Sequence, residues 1–302
     1  MRTYTIGATL VLIAAMHTVA ASDFGSKETV GKGTVNWGAG YIEAKGEGTF
    51  PANAQSRGQA RLLAKRAAIA DAQRNLLETL NGVRLTAETV VRNFVVESDI
   101  IQTRVQGYLQ GAQIIRGQER GDTYEVVLRL PLNGIAATAS EVAQQPEAFE
   151  VSEEKIKQWS PPQTEVKLPK NPPRERPLPP SVRPNPARPY TGVIIDARGL
   201  GMLPCMSPKI RREDGTEVWG TLDVSPEVAI EYGIAAWLQR EDDLKHPVIR
   251  KRIGGNPMFI RARGIAGAKR GDAVLTDEDA QRLLNANQDT RFLEKLAVVF
   301  LY

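Results

Sequence analysis

The stretch that decides the fold spans residues 53–80 and reads NAQSRGQARLLAKRAAIADAQRNLLETL. Wound as a helix, it collects its large apolar side chains on one arc of about 140°, which is the width of a buried face. The many alanines favour a close approach to a sheet, and Asn81-Gly82 supplies a helix end. The sequence therefore predicts one long amphipathic helix with the following buried face: Leu62, Leu63, Ile69, Ala70, Leu76, Leu77 and Leu80.

Two charge features mark this helix. Arg57, Arg61 and Lys65 recur every four residues and form a row opposite the predicted apolar arc. The row is either a solvated face or a site for an anion or an acidic partner, and it is our candidate interaction row. Arg66 falls within the apolar arc, where a cation needs an acidic partner, so we predict a structural buried charge there. The candidate partners are Glu43, Glu97 and Asp99.

Segments typical of strands lie on both sides of the helix. Glycines and a proline over residues 46–51 predict a turn before it, and Arg120-Gly121-Asp122 closes a hairpin after it. The resulting order, β-α-β-β-β, predicts an α+β domain in which one long helix packs on a mostly antiparallel sheet. The predicted strands are residues 36–44, 88–97, 107–118 and 123–130.

This N-terminal segment resembles a known family over residues 36–134. The matching positions are Gly46-Glu47-Gly48, residues 58–61, 64–72, 74–78 and 82–83 and, later, 107–112 and 124–126. In these residues the chain is similar to the LPP-twenty lipoprotein family and to the N-terminal domain of flagellar assembly protein T. The resemblance implies an envelope protein without known catalysis, in some cases one that serves flagellar structures. The chain departs from the lipoprotein members because it lacks a lipid-accepting cysteine.

The first residues are typical of an export signal. Arg2 precedes an apolar run over residues 6–16 and small residues at 19–22, which predicts cleavage near Ala21. The run is shorter than the roughly 20 apolar residues of a membrane-spanning helix. No cysteine lies near the cleavage site, so no lipid anchor is expected there, and no later segment is apolar enough to span a membrane. We expect a periplasmic protein of a two-membrane bacterium; an uncleaved N-terminal anchor is the alternative.

A basic, proline-rich segment follows at residues 161–189, which hold eleven of the 19 prolines. Proline fixes φ and lacks an N–H donor, so a disordered, polyproline-like linker is expected, with residues 144–160 leading into it. Its six basic and two acidic residues give a charge of +4, which equals the formal net charge of the whole chain. The pI near 9.1 therefore describes the linker. A nucleic-acid interface, which places charge on a folded face, is not expected. The linker is either a spacer or a contact for anionic lipid or the cell wall.

The remaining residues, 190–302, are numerous enough for a second small core. The sequence predicts an α+β domain with one helix that begins at Ser225-Pro226-Glu227 and stops at Gly233, and another that begins at residues 276–279. Alternation and apolar runs predict the strands. They are residues 192–197, 217–220, 257–263 and 296–302.

The sequence offers little catalytic or metal chemistry. It has one cysteine, Cys205, and two histidines, of which His17 would leave with the signal and His246 would remain. One histidine and one cysteine do not make a zinc site without carboxylates, and no spacing in the sequence suggests one. No glycine-rich loop joins a strand to a helix as nucleotide binding requires. We therefore predict no catalytic residue, no cofactor and no metal. Carboxylates available to a hydrolase are Asp196, Asp223, Asp242 and Asp243.

These features predict the following order: a signal peptide at 1–21, a flexible N-terminus at 22–35, α+β domains at 36–143 and 190–302, and the linker at 144–189 between them. The expected function is that of a non-enzymatic periplasmic envelope protein, structural or adaptor, which binds envelope or flagellar proteins or the cell wall. The alternative is a periplasmic hydrolase that uses carboxylates on a cell-wall polymer. The hydrolase needs a cleft with convergent acids, and the adaptor needs an exposed edge strand or apolar patch.

Overall fold

The computed structural model describes residues 24–170, 177–179, 182–220 and 226–302. The predicted signal peptide, residues 1–21, lies outside the described residues. The described chain forms two α+β units that pack against each other. The predicted α+β class is confirmed.

The N-terminal unit comprises the chain from the first strand to the fifth helix. Its elements in chain order are β1 (Lys27–Val30), β2 (Gly33–Asn36), β3 (Tyr41–Thr49), α1 (Arg57–Gly82), α2 (Val91–Val95), α3 (Asp99–Gln110), β4 (Gln113–Arg120), β5 (Thr123–Pro131), α4 (Asn133–Gln144), a 3-10 helix (Pro146–Phe149) and α5 (Glu153–Trp159).

The five strands of this unit form one sheet in the order β1-β2-β3-β5-β4. Every neighbouring pair is antiparallel. Helix α1 packs on one face of the sheet, over the central strands β3 and β5. The predicted architecture of one long helix on an antiparallel sheet is confirmed, and the sheet leaves β4 and β1 as its two edges.

The buried face of α1 differs from the predicted one. Three of its seven buried residues are alanines, whereas Leu62, Leu63 and Leu77, which were expected inside, are 60%, 42% and 40% exposed. The cause is a close approach to β3, where a Cβ added at Gly48 would lie 2.1 Å from the Ala64 carbonyl oxygen. Only small side chains fit between two backbones at that separation. The buried residues are Ala64, Ala68, Ala72, Asn75, Leu76, Thr79 and Leu80.

The segment after α1 is helical where a strand was predicted. The prediction of a strand over residues 88–97 is wrong. The buried residues of α2, Val91 and Phe94, are three positions apart, which is the spacing of one face of a helix. Ser98 then caps α3, its Oγ accepting a hydrogen bond of 3.1 Å from the Ile100 N–H. Helix α3 takes up residues 107–110, which were predicted to begin the hairpin, so the first hairpin strand is shorter and begins at Gln113.

The C-terminal unit comprises the elements that follow. They are β6 (Val166–Lys167), β7 (Gly192–Asp196), β8 (Ile210–Arg211), β9 (Glu217–Trp219), α6 (Pro226–Tyr232), β10 (Ala236–Leu238), a 3-10 helix (Glu241–Lys245), α7 (Pro247–Ile253), β11 (Pro257–Arg261), β12 (Gly264–Ala266), β13 (Asp272–Val274), α8 (Asp277–Thr290) and β14 (Val298–Leu301).

The main sheet of this unit is parallel throughout, in the order β10-β14-β7-β11. Parallel strands that are buried on both faces have continuous apolar sequences. For this reason the segments predicted from apolar runs agree with β7 and β14. A second sheet, in the order β6-β12-β13-β8-β9, flanks it. The predicted stop of α6 is also confirmed, since Gly233 has φ of +68°.

The two units share an interface of backbone hydrogen bonds and packed side chains. The loop after α1 forms hydrogen bonds with residues 204–207 of the C-terminal unit. The Met206 N–H donates to the Arg84 carbonyl at 3.0 Å, and the Ser207 N–H donates to the Leu85 carbonyl at 2.8 Å. Arg84 also donates from Nε to the Pro204 carbonyl at 2.6 Å. One core cluster runs across both units. The units are therefore in direct contact rather than held apart by a spacer.

The described residues of the proline-rich segment also contact folded structure. Val166–Lys167 pairs as β6 with β12, and the Thr164 hydroxyl donates to Glu88. Further along, the Asn185 N–H donates to the Asn256 side chain at 2.8 Å. The described residues of this segment therefore do not form the disordered linker that was predicted. Its residues other than proline keep N–H groups and side chains that bond to the folded units.

Candidate functional site

The edge strand β4 is the most exposed regular element of the described chain. All of its residues from Gln113 to Arg120 are exposed. It pairs on one side with β5 and is the last strand of its sheet. Ile114 and Ile115 remain 47% and 42% exposed. An edge strand with a free row of N–H and C=O groups can accept a further strand.

A local irregularity gives β4 its shape. Ile114 pairs with Leu128 and Arg116 pairs with Val127, so Ile115 is an extra residue that faces no partner in β5. A bulge of this kind bends the strand and redirects a side chain. The hairpin then closes at Gly121, whose φ of +61° suits the turn.

The candidate interaction row lies beside this strand. Arg61 Nε lies 2.6 Å from Glu119 Oε1 of β4, and Arg57, with a side chain 94% exposed, lies 3.7 Å from the other carboxylate oxygen. Arg61 also stands over the Tyr124 ring at 5.7 Å. Lys65 is half-buried one turn further along α1. The row therefore faces the hairpin, and the prediction that it lies opposite the buried face is wrong.

The β4 region carries more positive than negative charge. Arg116 is exposed and forms no ion pair with a described residue. Arg120 lies 3.2 Å from Glu125, which also pairs with Lys45 at 2.7 Å. The hydrogen bond from Lys45 is the main reason that the pKa of Glu125 is lowered, so this carboxylate stays ionised and offsets part of the charge.

The position of Arg66 differs from its prediction. It was expected to be a buried structural charge, but it is exposed on the outer side of α1. The rotation of the helix that places alanines against β3 turns Arg66 away from the sheet. It needs no acidic partner there, and Glu43, one of its expected partners, pairs with Arg129 of β5 instead.

The carboxylates available to a hydrolase are held separately by cations. Asp196 accepts a hydrogen bond of 2.7 Å from Arg198, Asp242 pairs with Lys245 and Asp243 pairs with Arg240. The fourth, Asp223, lies outside the described residues. Each of the three described ones is therefore bound to a cation, and none of them is an unpaired acid.

The rare cysteine and histidine both have packing roles. Cys205 is fully buried, and burial raises the pKa of its thiol well above the usual range. His246 stacks on Phe24 with ring centroids 3.7 Å apart. Within the described ranges, no three of histidine, cysteine, aspartate and glutamate come together as a metal-binding group. Nor does any helix there have the length and apolar character needed to cross a membrane.

Comparison with known proteins gives one family match. Residues 192–302 match the model described as Treponema pallidum Tp0624, second domain. The match begins at β7 and covers the C-terminal unit only. No curated protein matches the chain.

The resemblance of residues 36–134 to the LPP-twenty family and to flagellar assembly protein T is therefore wrong. The family that matches is a different one and lies in the other unit. The residues that carried the resemblance were mostly those of the alanine-rich helix, and close packing of a helix on a sheet favours small residues regardless of family. Residues 107–110, matched to a hairpin, belong to α3.

Proposed function

We propose that this protein is an exported, non-enzymatic component of the cell envelope that works by binding another envelope protein. The export signal that the sequence predicts over residues 1–21 supports a periplasmic location. The observation that carries the proposal is the β4 edge, because its exposed residues leave one side of the strand free for pairing.

The partner's binding segment is extended and acidic. Strand addition supplies affinity through main-chain hydrogen bonds and specificity through alternate side chains. Around β4 the cations Arg57, Arg116 and Arg120 are exposed, and Glu119 is the nearest acid on the strand itself. Ile114 and Ile115 add a small apolar contact at the bulge. An acidic, extended segment with one apolar anchor complements this surface.

Capture from envelope extracts tests the proposal. The full chain, its Arg116→Glu variant and its Arg92→Glu variant serve as baits. Arg92 is also an exposed arginine, but it belongs to α2 and not to the hairpin. We expect one discrete protein to be captured by the unchanged chain and by Arg92→Glu, with a loss of at least about fivefold for Arg116→Glu. Equal capture by both variants would refute binding at β4, and co-sedimentation with purified cell wall that both variants retain would favour a wall-binding protein instead.

A further inference from the structure

Two adjoining clefts lie on either side of Tyr232, at the end of α6. The first, of about 360 Å³, opens between the turn at Gly38–Gly40 of the N-terminal unit and helices α6 and α7. The second, of about 440 Å³, opens between α7 and the segment that leads into β14. Both are lined by Tyr232, Lys251 and Arg252. Their volumes are in the range of small-molecule sites.

Arg252 lies between the clefts with no carboxylate beside it. Its guanidinium donates to the Leu296 carbonyl at 2.7 Å, the Gly233 carbonyl at 3.2 Å and the Tyr232 carbonyl. Among the described residues, no acidic oxygen lies within 4 Å of it, and nothing accepts from its Nε–H. Loss of hydration lowers the pKa of Arg252 to about 10, so it remains a cation at neutral pH.

Two further cations line these clefts. The Lys251 ammonium stands 5.4 Å from the centre of the Tyr232 ring. Lys295, in the second cleft, donates to the Thr290 carbonyl at 2.6 Å. Neither forms an ion pair with a described residue. Among the described residues, the acids that line the clefts are Glu231 and Glu294. Glu294 is already bound by Asn287 and Arg291, which leaves Glu231 in the first cleft.

The carbonyls around Arg252 satisfy part of its hydrogen bonding but not its charge. A carbonyl at a helix end carries only a partial negative charge. A carboxylate or phosphate carries a full one, and it accepts two parallel hydrogen bonds from a guanidinium fork. Trp37, Ala235 and Val248 give the first cleft an apolar wall that suits the carbon skeleton of such a ligand.

We propose that the paired clefts around Tyr232 bind a ligand that bears a carboxylate or phosphate group, held by Arg252 and Lys251. The ligand is either a free small anion or an acidic group on an envelope polymer. The site is separate from β4, so it adds a second binding activity to the proposed function. Arg116→Glu leaves this site unchanged, and the failure of one proposal is distinguishable from the failure of the other.

Calorimetric titration of the full chain tests this inference. The probes are inorganic phosphate, citrate and soluble cell-wall fragments. We expect saturable binding of at least one probe, weakened at least about tenfold by Lys251→Glu, because a favourable charge becomes a repulsive one. Arg250→Glu is the matched control: it makes the same charge change on the same helix, but Arg250 is exposed and lines neither cleft. We expect it to change the affinity less than about twofold.

The probe that binds identifies the source of the ligand. Binding of citrate or phosphate indicates a free small anion, and binding of cell-wall fragments alone indicates a polymer. Absence of binding for all three probes at millimolar concentration overturns the inference, as does an equal effect of Lys251→Glu and Arg250→Glu. Because Lys251 is exposed, its variant is expected to keep the fold, which a melting curve verifies.

Discussion

Arg211 and Asp272 form an ion pair in the interior of the C-terminal unit, and both side chains are 1% exposed. Arg211 Nε lies 2.7 Å from Asp272 Oδ2, and its other nitrogens donate to the Pro161 and Pro162 carbonyls at 2.9 Å. Asp272 Oδ1 also accepts from the Lys209 N–H at 3.0 Å. The pair therefore joins strands β8 and β13 to the start of the proline-rich segment.

Removing the acid from this pair is expected to be costly. Asp272→Ala leaves Arg211 as an uncompensated buried cation, and we expect the free energy of unfolding to fall by about 3–5 kcal/mol. Asp242→Ala is the control, because Asp242 has a side chain 84% exposed and pairs with an exposed lysine, so a change below about 0.5 kcal/mol is expected. Urea unfolding measures both, and similar losses for the two variants would contradict the account.

The same carboxyl group makes stability depend on pH. Burial outweighs the attraction of Arg211 and raises the pKa of Asp272 to about 6. An unfolded aspartate releases its proton near pH 4, so the folded state binds the proton more tightly between about pH 4 and 6. The stability gained from this group is full below about pH 4 and is lost as the pH rises through about 6.

Replacement by a residue that does not titrate isolates this effect. Between about pH 4.5 and 7.5 we expect the free energy of unfolding of the unchanged chain to fall relative to that of Asp272→Asn. Urea unfolding of both chains at the two pH values gives the comparison. The prediction fails if the difference in free energy of unfolding between the two chains is the same at both pH values, or if the unchanged chain gains stability relative to Asp272→Asn at the higher pH. Either result would show that folding does not raise the pKa of Asp272.

At the scale of elements, the contact between α1 and β3 organises the N-terminal unit. Two glycines of β3 face the helix, and a Cβ at Gly46 would lie 2.2 Å from the Ala72 nitrogen. The Asn75 side chain reaches across the same contact and donates to the Lys45 carbonyl at 2.8 Å. The helix and strand backbones approach closely because the facing residues are glycines in β3 and alanines in α1.

A single methyl group should disturb this contact. We expect Gly48→Ala to lower the free energy of unfolding by about 1–3 kcal/mol, because the helix backbone has to move away. Gly107→Ala is the opposite control: Gly107 lies within α3 with no atom near a new Cβ, so alanine should raise helix stability by up to about 1 kcal/mol. Thermal or urea unfolding checks both signs, and a neutral Gly48→Ala would show that the close contact is absent.

The sequence predicted elements better than their orientation. The long helix and the strands β7, β11 and β14 were found, because their apolar patterns are local. The rotation of α1 about its axis was not predicted. Hydrophobicity alone favours leucine at buried positions, whereas the close approach of the helix and strand backbones leaves room only for small residues such as alanine. The position of β4 at a sheet edge and the parallel pairing of β7 with β14 depend on which distant strands meet, and no local pattern records that.

At the scale of the whole molecule, the two units share one hydrophobic core cluster. Trp237 of β10 packs on Phe300 with ring centroids 4.7 Å apart and donates to the Cys205 carbonyl at 2.9 Å, next to the residues that bond to Arg84 and Leu85. The first cleft around Tyr232 exists because the units meet, which explains why neither unit's sequence alone indicated it.

This packing predicts joint unfolding of the two units. We expect scanning calorimetry of the full chain to show a single heat-absorption peak whose calorimetric and van't Hoff enthalpies agree, because loss of either unit exposes the shared core. Two resolved peaks would mean that the units are thermodynamically independent despite their contact.

Photocrosslinking in intact cells tests the central proposal, binding at the β4 edge, most directly. A photoreactive amino acid replaces Ile115, the exposed bulge residue of β4, in one strain and Thr29, an exposed residue of the opposite edge strand β1, in another. Binding at the β4 edge predicts one discrete crosslinked protein from position 115 and none of that size from position 29. No crosslink from position 115, or equal crosslinking from both positions, would contradict it.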